Sequence, residues 1–377
     1  MDFGLSEEQE LLQRSARDFL FEECPPSVVR QAAGSESGAS DVLDRKIAEM
    51  GWTGLLVPAA YGGLGLGVLD MVIVLAELGR AAAPGPFLFS ALLATTAILD
   101  AGDRRQKRHW LSRLASGECC ATIALLEESD RLDPAGVTAR AQRAGHRYRL
   151  TGKKMFVPYA SRAEVLITAC RTSSEGPDGV SLFLVDPRSP GVRIRPLETI
   201  DQTRRVAEVE LRSVEVPREN VLGEIGGGWK PLARLLDLGA LGLAADCFGA
   251  AERVLEMAVE YSKTRQQFGR PIGSFQAIKH IAAETVAEIE PARSLLWYAA
   301  YAQDALPRDA SRAASMAKAS LSEICSRATN RAVQLHGGIG FTWEHDLHFW
   351  FKRSKWNELA FGDPNLHRER VAALSGF

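Results

Sequence analysis

Residues 261–280 read YSKTRQQFGRPIGSFQAIKH, and residues 334–353 read QLHGGIGFTWEHDLHFWFKR. Arg265 is a cation near a helix end, placed to meet a phosphate. Phe268 precedes a Gly-Arg-Pro turn, and Gln276 opens the next helix with an amide that can donate a hydrogen bond. Gly337 and Gly338 follow a helical run, where consecutive glycines let a ligand approach the backbone closely. Either stretch alone is compatible with a plain helix connection. The two in this order, separated by two long helices, are specific.

Working outward, the spacing of apolar residues predicts long helices over 233–265, 275–303, 308–337 and 344–360, with short connections, which is the pattern of a bundle. The N-terminal zone is also helical. Ser6 followed by Glu7, Glu8 and Gln9 reads as an N-cap with an acidic first turn, and Leu11, Leu12, Ala16, Phe19 and Leu20 recur at helical spacing. Further helices are expected over 41–50, 69–83, 87–101 and 104–115, with Pro-Gly-Pro at 84–86 as a breaker. Between these zones lie short Val-, Ile-, Leu- and Thr-rich runs: ATIALLE, YRLTGKKMFV, AEVLITAC, GVSLFLVD, GVRIRPL and VAEVELRSVEV. Their spacing predicts a small antiparallel barrel or sandwich, with SSEGPDG at 173–179 as a hairpin loop. The expected class is therefore α+β in three domains: an α-helical domain over 1–117, a β-barrel domain over 118–225 and a helical bundle over 226–377.

The composition sets limits. In 377 residues, 46% are hydrophobic and 24% charged, as in a globular protein with a large core. A formal charge of −2 gives no global field toward nucleic acid or an anionic membrane. The basic run at Arg104, Arg105, Lys107 and Arg108 reads as a solvated helix face. No uninterrupted apolar stretch reaches the ~18 residues of a membrane span, and the N-terminus lacks the layout of a signal peptide, so a cytoplasmic location is expected. Cys24, Cys119, Cys120, Cys170, Cys247 and Cys325 form no C-x-x-C pair and fit reduced thiols. GGLGLG at 62–67 sits in helical surroundings and reads as a turn, and GGGW at 226–229 reads as an interdomain loop. His345 and His348 have no evident third ligand, so no metal site is expected.

The two C-terminal stretches resemble the paired signatures of the acyl-CoA dehydrogenase family. MDFGLSEEQELLQRSARDFL, PAAYGGLGLG, QKRHWLSRLASGE and GGGWKPL are similar to its other landmarks, so the resemblance spans nearly the whole chain. It implies an α-domain, a β-barrel and a four-helix bundle, assembled as a dimer of dimers. It also implies FAD bound across a subunit interface, with one subunit holding the adenosine and pyrophosphate of FAD that lies mostly on its neighbour. By that resemblance the cofactor residues are Arg265, Gln267, Phe268, Ile272, Phe275, Gln276, Gln334, Leu335, Gly337 and Gly338. An arginine suits a pyrophosphate because its fork is planar and always charged.

The chain departs from the family where the chemistry should lie. The family base, which takes the α-proton of the thioester, has two known positions. Here Phe361 and Gly239 occupy them, and neither accepts a proton. Ala240 replaces the arginine that usually follows the second. The T-E-P-x-x-G-S-D turn is replaced by residues 127–134, EESDRLDP, which is expected to bring the Glu127 charge near the flavin. K-x-W-I-T-N becomes residues 154–159, KMFVPY, where Pro158 has neither hydroxyl nor N–H.

Segments lent to a neighbour look intact, and segments needed for the chain's own flavin look lost. The resemblance therefore points to the subunit without the catalytic glutamate in bacterial α2β2 acyl-CoA dehydrogenases of lipid or steroid catabolism. Its partners would be a homologous base-bearing subunit, an acyl-CoA and an electron-transfer flavoprotein. Two alternatives stay open: a self-sufficient homotetramer with its base relocated to Asp363 or Glu358, and a non-catalytic assembly subunit.

Overall fold

The computed structural model describes residues 4–173 and 176–377, so Met1–Phe3 and, within the expected hairpin loop, Ser174 and Glu175 lie outside the described residues. The N-terminal zone holds α1 (Glu7–Glu23), α2 (Pro26–Gly34), α3 (Asp41–Glu49) and α4 (Val68–Arg80). A π-helical run, Leu88–Ala94, then leads into α5 (Thr95–Ala101), and α6 (Arg104–Ala115) follows. Ser6 and Gln9 form a reciprocal capping box at α1: the Gln9 N–H donates to Ser6 Oγ at 3.3 Å, and the Ser6 N–H donates to Gln9 Oε1 at 3.1 Å. α2 has no place in the expected helices. It starts on Pro26, whose fixed φ suits a first helical position.

The middle zone is one eight-stranded sheet: β1 (Ala121–Ala124), β2 (Arg140–Ala144), β3 (Arg147–Pro158), β4 (Val165–Arg171), β5 (Val180–Val185), β6 (Val192–Leu197), β7 (Val206–Pro217) and β8 (Val221–Leu222). The expected antiparallel barrel is corrected here. The order β6-β7-β3-β2-β4-β5-β8 leaves the sheet open, and β1 runs parallel to β4. The β2–β3 hairpin intervenes between β1 and β4 and acts as the crossover that a parallel pair needs. β4 and β5 are buried on both faces. Val165, Ile167, Ala169, Val180, Leu182 and Leu184 join the core shared with the helices, while Leu166, Cys170, Phe183 and Val185 join a separate core within the sheet domain.

The C-terminal zone packs α7 (Trp229–Thr264), α8 (Gln276–Ala305), α9 (Ala310–His336), α10 (Leu347–Leu359) and α11 (Pro364–Leu374). α7 is a single helix of 36 residues despite its glycines. Glycines on both helices permit close contact between α7 and α4: a Cβ on Gly249 of α7 would sit 1.7 Å from the Ala76 carbonyl oxygen, and one on Gly79 of α4 would sit 2.2 Å from that of Asp246. Among the described residues, no helix is long and apolar enough to cross a membrane.

A buried ion cluster ties the zones together. Asp246 of α7 accepts from Arg353 Nε of α10 at 2.9 Å and from Arg204 Nη2, in the β6–β7 connection, at 2.8 Å. Asn357 donates to the same carboxylate at 2.6 Å and accepts from Arg204. Arg353 also donates to Thr203 Oγ1 at 3.0 Å and to the Ala83 carbonyl at 2.9 Å. Tyr159 Oη donates to the Thr203 carbonyl at 3.0 Å and accepts from the Gly85 N–H at 2.9 Å. Burial alone would raise the Asp246 carboxyl, but Arg353 and Arg204 outweigh it and hold it at about 2.

Asp246→Ala leaves two buried guanidiniums short of their counter-charge. A loss of about 3–5 kcal/mol is expected in chemical denaturation. Because the folded carboxyl titrates at about 2 and an unfolded one near 3.9, the stabilisation from Asp246 is complete above about pH 4 and is lost as pH falls toward 2. Asp246→Asn should flatten that part of the acid-unfolding profile.

Candidate functional site

Two surfaces hold the residues singled out by the sequence, and they differ in character. The first is the outer end of the bundle. After α7, residues 265–275 form a small hairpin in which Gln266–Gln267 pairs antiparallel with Arg270–Pro271, followed by a short turn into α8. The segment after α9 lies beside it, because the Tyr261 ring stacks on His336 at 4.6 Å. His336 in turn lies 4.6 Å from the His345 ring. These rings join the two signatures, and the signature spacing alone does not reveal the join.

Here Arg265, Gln267, Gln276, Gln334, Gly337 and Gly338 are exposed, Ile272 and Phe275 half-buried, and Leu335 buried. Phe268 is 90% exposed and Phe341 75%. Among the described residues, no carboxylate lies within ion-pair distance of Arg265. Gly337 has φ +64°, and a Cβ at Gly337 or Gly338 would meet nothing within 4 Å. Open backbone, an uncommitted guanidinium and solvent-facing rings suit a phosphate and a flat base held between chains. Of the ten residues, the exposed ones lie at the bundle end where the Tyr261–His336 stack brings the two segments side by side, and Leu335 packs inward.

The second surface is the cleft between the sheet domain and α10. Phe361 sits in the corner between α10 and α11, and its ring lies on Gly239 of α7. A Cβ on Gly239 would come within 2.4 Å of that ring. The two residues that the resemblance aligns with the family base thus touch, and an aromatic ring fills the space between them. Phe361 holds a left-handed φ of +58°, uncommon without glycine. Its corner is fastened from behind. Lys318 of α9 is fully buried and donates to the carbonyls of Glu358 (3.1 Å) and Gly362 (2.8 Å). His367 Nε2 lies 2.9 Å from the Phe361 carbonyl. Burial pushes the Lys318 ammonium down to about 8. Neither Lys318 nor His367 stood out in the sequence, because a lone lysine in a helical run ordinarily reads as surface.

The expected placement of the Glu127 charge beside a flavin is corrected. Its carboxylate turns into the sheet domain, where it accepts from Lys154 Nζ at 2.6 Å, from the Thr138 hydroxyl, and from the Thr138 and Ala139 N–H groups at 3.0–3.2 Å. Burial raises its pKa, and the Lys154 ammonium and these donors bring it below the usual carboxylate range. The charge is neutralised inside, not presented to the cleft.

The cleft encloses about 330 Å³. Phe89, Trp356, Phe361 and Phe156 supply aromatic walls, and Leu126, Leu132 and Met155 supply aliphatic ones. Pro158 also lines it. Of the relocated-base candidates, Asp363 caps α11 by accepting from the Leu366 N–H at 2.8 Å, and Glu358 faces Lys355 at 3.5 Å. Neither lines the cleft, whose one carboxylate among the described residues is Asp130. No group of three or more candidate metal ligands exists among the described residues.

The family's N-terminal, middle and C-terminal domain patterns, each described as an acyl-CoA dehydrogenase domain, match residues 6–118, 122–214 and 226–375. The chain belongs to the acyl-CoA dehydrogenase family. It is 32% identical to the acryloyl-CoA reductase (NADH) of Anaerotignum propionicum over 99% of this chain and 95% of that one. It is 33% identical to the acyl-CoA dehydrogenase IpdE2 of Mycolicibacterium smegmatis, over 98% and 99% of the two chains. Its fold superposes on a chain of the ChsE4-ChsE5 complex from Mycobacterium tuberculosis with a TM-score of 0.91 and 30% identity, covering all of both chains. As a member of this family, the chain belongs to an FAD-dependent oxidoreductase acting on acyl-CoA thioesters.

The Phe361–Gly239 contact makes a measurable prediction. Gly239→Ala should destabilise by about 1–3 kcal/mol through overpacking. Combining it with Phe361→Ala should recover part of that loss, giving a coupling of at least about 0.5 kcal/mol in a double-mutant cycle of denaturation midpoints.

Proposed function

We propose that this chain is the partner subunit of an α2β2 acyl-CoA dehydrogenase, supplying the adenosine- and pyrophosphate-holding half of an FAD site while its homologous partner supplies the base. The observation that carries this reading is the Phe361 ring seated on Gly239, which fills both family base positions with apolar atoms. On the outer face, by contrast, Arg265 and the Gly337-Gly338 backbone stay open. An enzyme that abstracted a proton here would need a carboxylate beside the thioester α-carbon.

In this reading Arg265 and Gln334 anchor the pyrophosphate of FAD seated on the partner. Phe268 and Phe275, in edge-to-face contact at 6.1 Å, flank the adenosine. Arg270 sits 4.2 Å over the Phe275 ring and stiffens the hairpin. When held there, FAD would supply the hydride-accepting chemistry of an α,β-desaturation, with an electron-transfer flavoprotein as the external electron acceptor. This chain's residues bind and orient the cofactor and move no proton. The likeness to a chain of the two-component ChsE4-ChsE5 complex supports a paired assembly. The self-sufficient alternative would require Asp363 or Glu358 to leave their present partners and enter the cleft.

Purified alone, the chain should carry no stoichiometric FAD. Coexpressed with a homologous dehydrogenase subunit, it should form a heterotetramer with half as many FAD as chains and acyl-CoA dehydrogenase activity. A yellow, active homotetramer would overturn the reading. In the heterotetramer, Arg265→Ala should weaken FAD retention by about 10- to 100-fold, since a charge-assisted hydrogen bond contributes about 1.5–3 kcal/mol.

A further inference from the structure

We propose that the cleft between the sheet domain and α10 is a second, non-redox site on this chain that takes an uncharged hydrocarbon body, a ring system or an alkyl chain. The inference rests on the reading that this chain does not seat a flavin ring of its own.

A flavin ring carries carbonyl oxygens and nitrogens along its edge, and burying them requires hydrogen-bond partners. Several of the wall's donors are already used or are missing. The Met155 N–H donates to the Leu126 carbonyl at 2.8 Å, and the Tyr159 N–H to the Arg205 carbonyl at 2.8 Å. Pro158 has no N–H. Glu127 and Lys154 bond each other inside the sheet domain. Yet the space has not closed. About 330 Å³ remains, at the small end of the ~300–1,000 Å³ range of small-molecule sites.

The lining indicates the chemistry of the occupant. It is apolar except at Asp130 and Lys355. Lys355 is already bonded to Ser326 Oγ at 2.5 Å and lies 3.5 Å from Glu358. The exposed Asp130 carboxylate stands at the margin, where it repels an anionic head group. Phe89 and Trp356 meet edge to face at 6.2 Å and form a rigid corner. At the mouth, Phe156, Ile200 and Leu359 are all exposed, so the apolar surface continues outward. A carboxylate or phosphate finds no cation free to receive it, whereas a hydrocarbon body covers all of these walls.

The test uses N-phenyl-1-naphthylamine, an uncharged fluorescent probe with a naphthyl and a phenyl group, titrated into the full chain and into the coexpressed complex. One saturable site per chain is expected. Dodecanol should displace the probe, and dodecanoate should do so at least about tenfold less well because of Asp130. Leu132→Trp and, separately, Ala360→Trp should fill the cleft and abolish the site, while coexpressed complexes of both variants keep their FAD content. Binding that survives both substitutions overturns the proposal, as does displacement of the probe by riboflavin. If the complex carries its FAD and the chain still fails to bind the probe, this inference falls and the partner-subunit reading stands. If the isolated chain instead takes up FAD, both fall.

Discussion

The architecture depends on one buried carboxylate. Asp246 is at the centre of a cluster in which Arg353, Arg204 and Asn357 bring together α7, α10 and the β6–β7 connection, while Arg353 also reaches the carbonyl of Ala83. Two guanidiniums and a carboxylate in a dry interior are tolerable only when each finds its partners. An arrangement of the three zones that separated these groups would leave a buried charge without its partner. The cluster also aims α10, and α10 decides what faces the cleft.

From that helix follows the corner at Ala360–Gly362. Lys318 and His367 bind its carbonyls, Phe361 takes a left-handed φ, and its ring comes down on Gly239. The apolar filling of this corner is therefore a packed, hydrogen-bonded arrangement and not a single side chain. Restoring a carboxylate at either position would have to displace the ring. The outer face carries no such fastening. Arg265 has no carboxylate partner among the described residues, and the backbone at Gly337 and Gly338 is bare. One end of the chain is packed within itself, and the other leaves a guanidinium and bare backbone open to solvent.

Much of this was legible in the residues. Helical periodicity located α1, α3, α4 and the bundle helices, and Ser6 and Gln9 formed the cap their spacing implied. α2 and α11 were not legible, because each begins on a proline that also reads as a breaker. Asp363 looked like a displaced base and is a helix cap. Glu127 looked like a charge beside the cofactor and is paired with Lys154, 27 positions along the chain. Sequence spacing reports which residue types are available but not which way a side chain turns, and turning inward costs little once a buried lysine is waiting.

By itself, then, the sequence determined the family, the helix–sheet–helix order, the absence of a proton acceptor at Phe361 and Gly239, and the survival of the arginine and glycine signatures. These depend on local patterns and residue chemistry, which short stretches of chain already contain. Only the tertiary structure decided that the sheet stays open, that Phe361 and Gly239 touch, that Lys318 is buried beneath that corner, and that the cleft keeps a largely apolar volume. Each of these is a relation between residues far apart in sequence, set by how helices cross and where buried charges find partners, and no periodicity along one strand or helix encodes it.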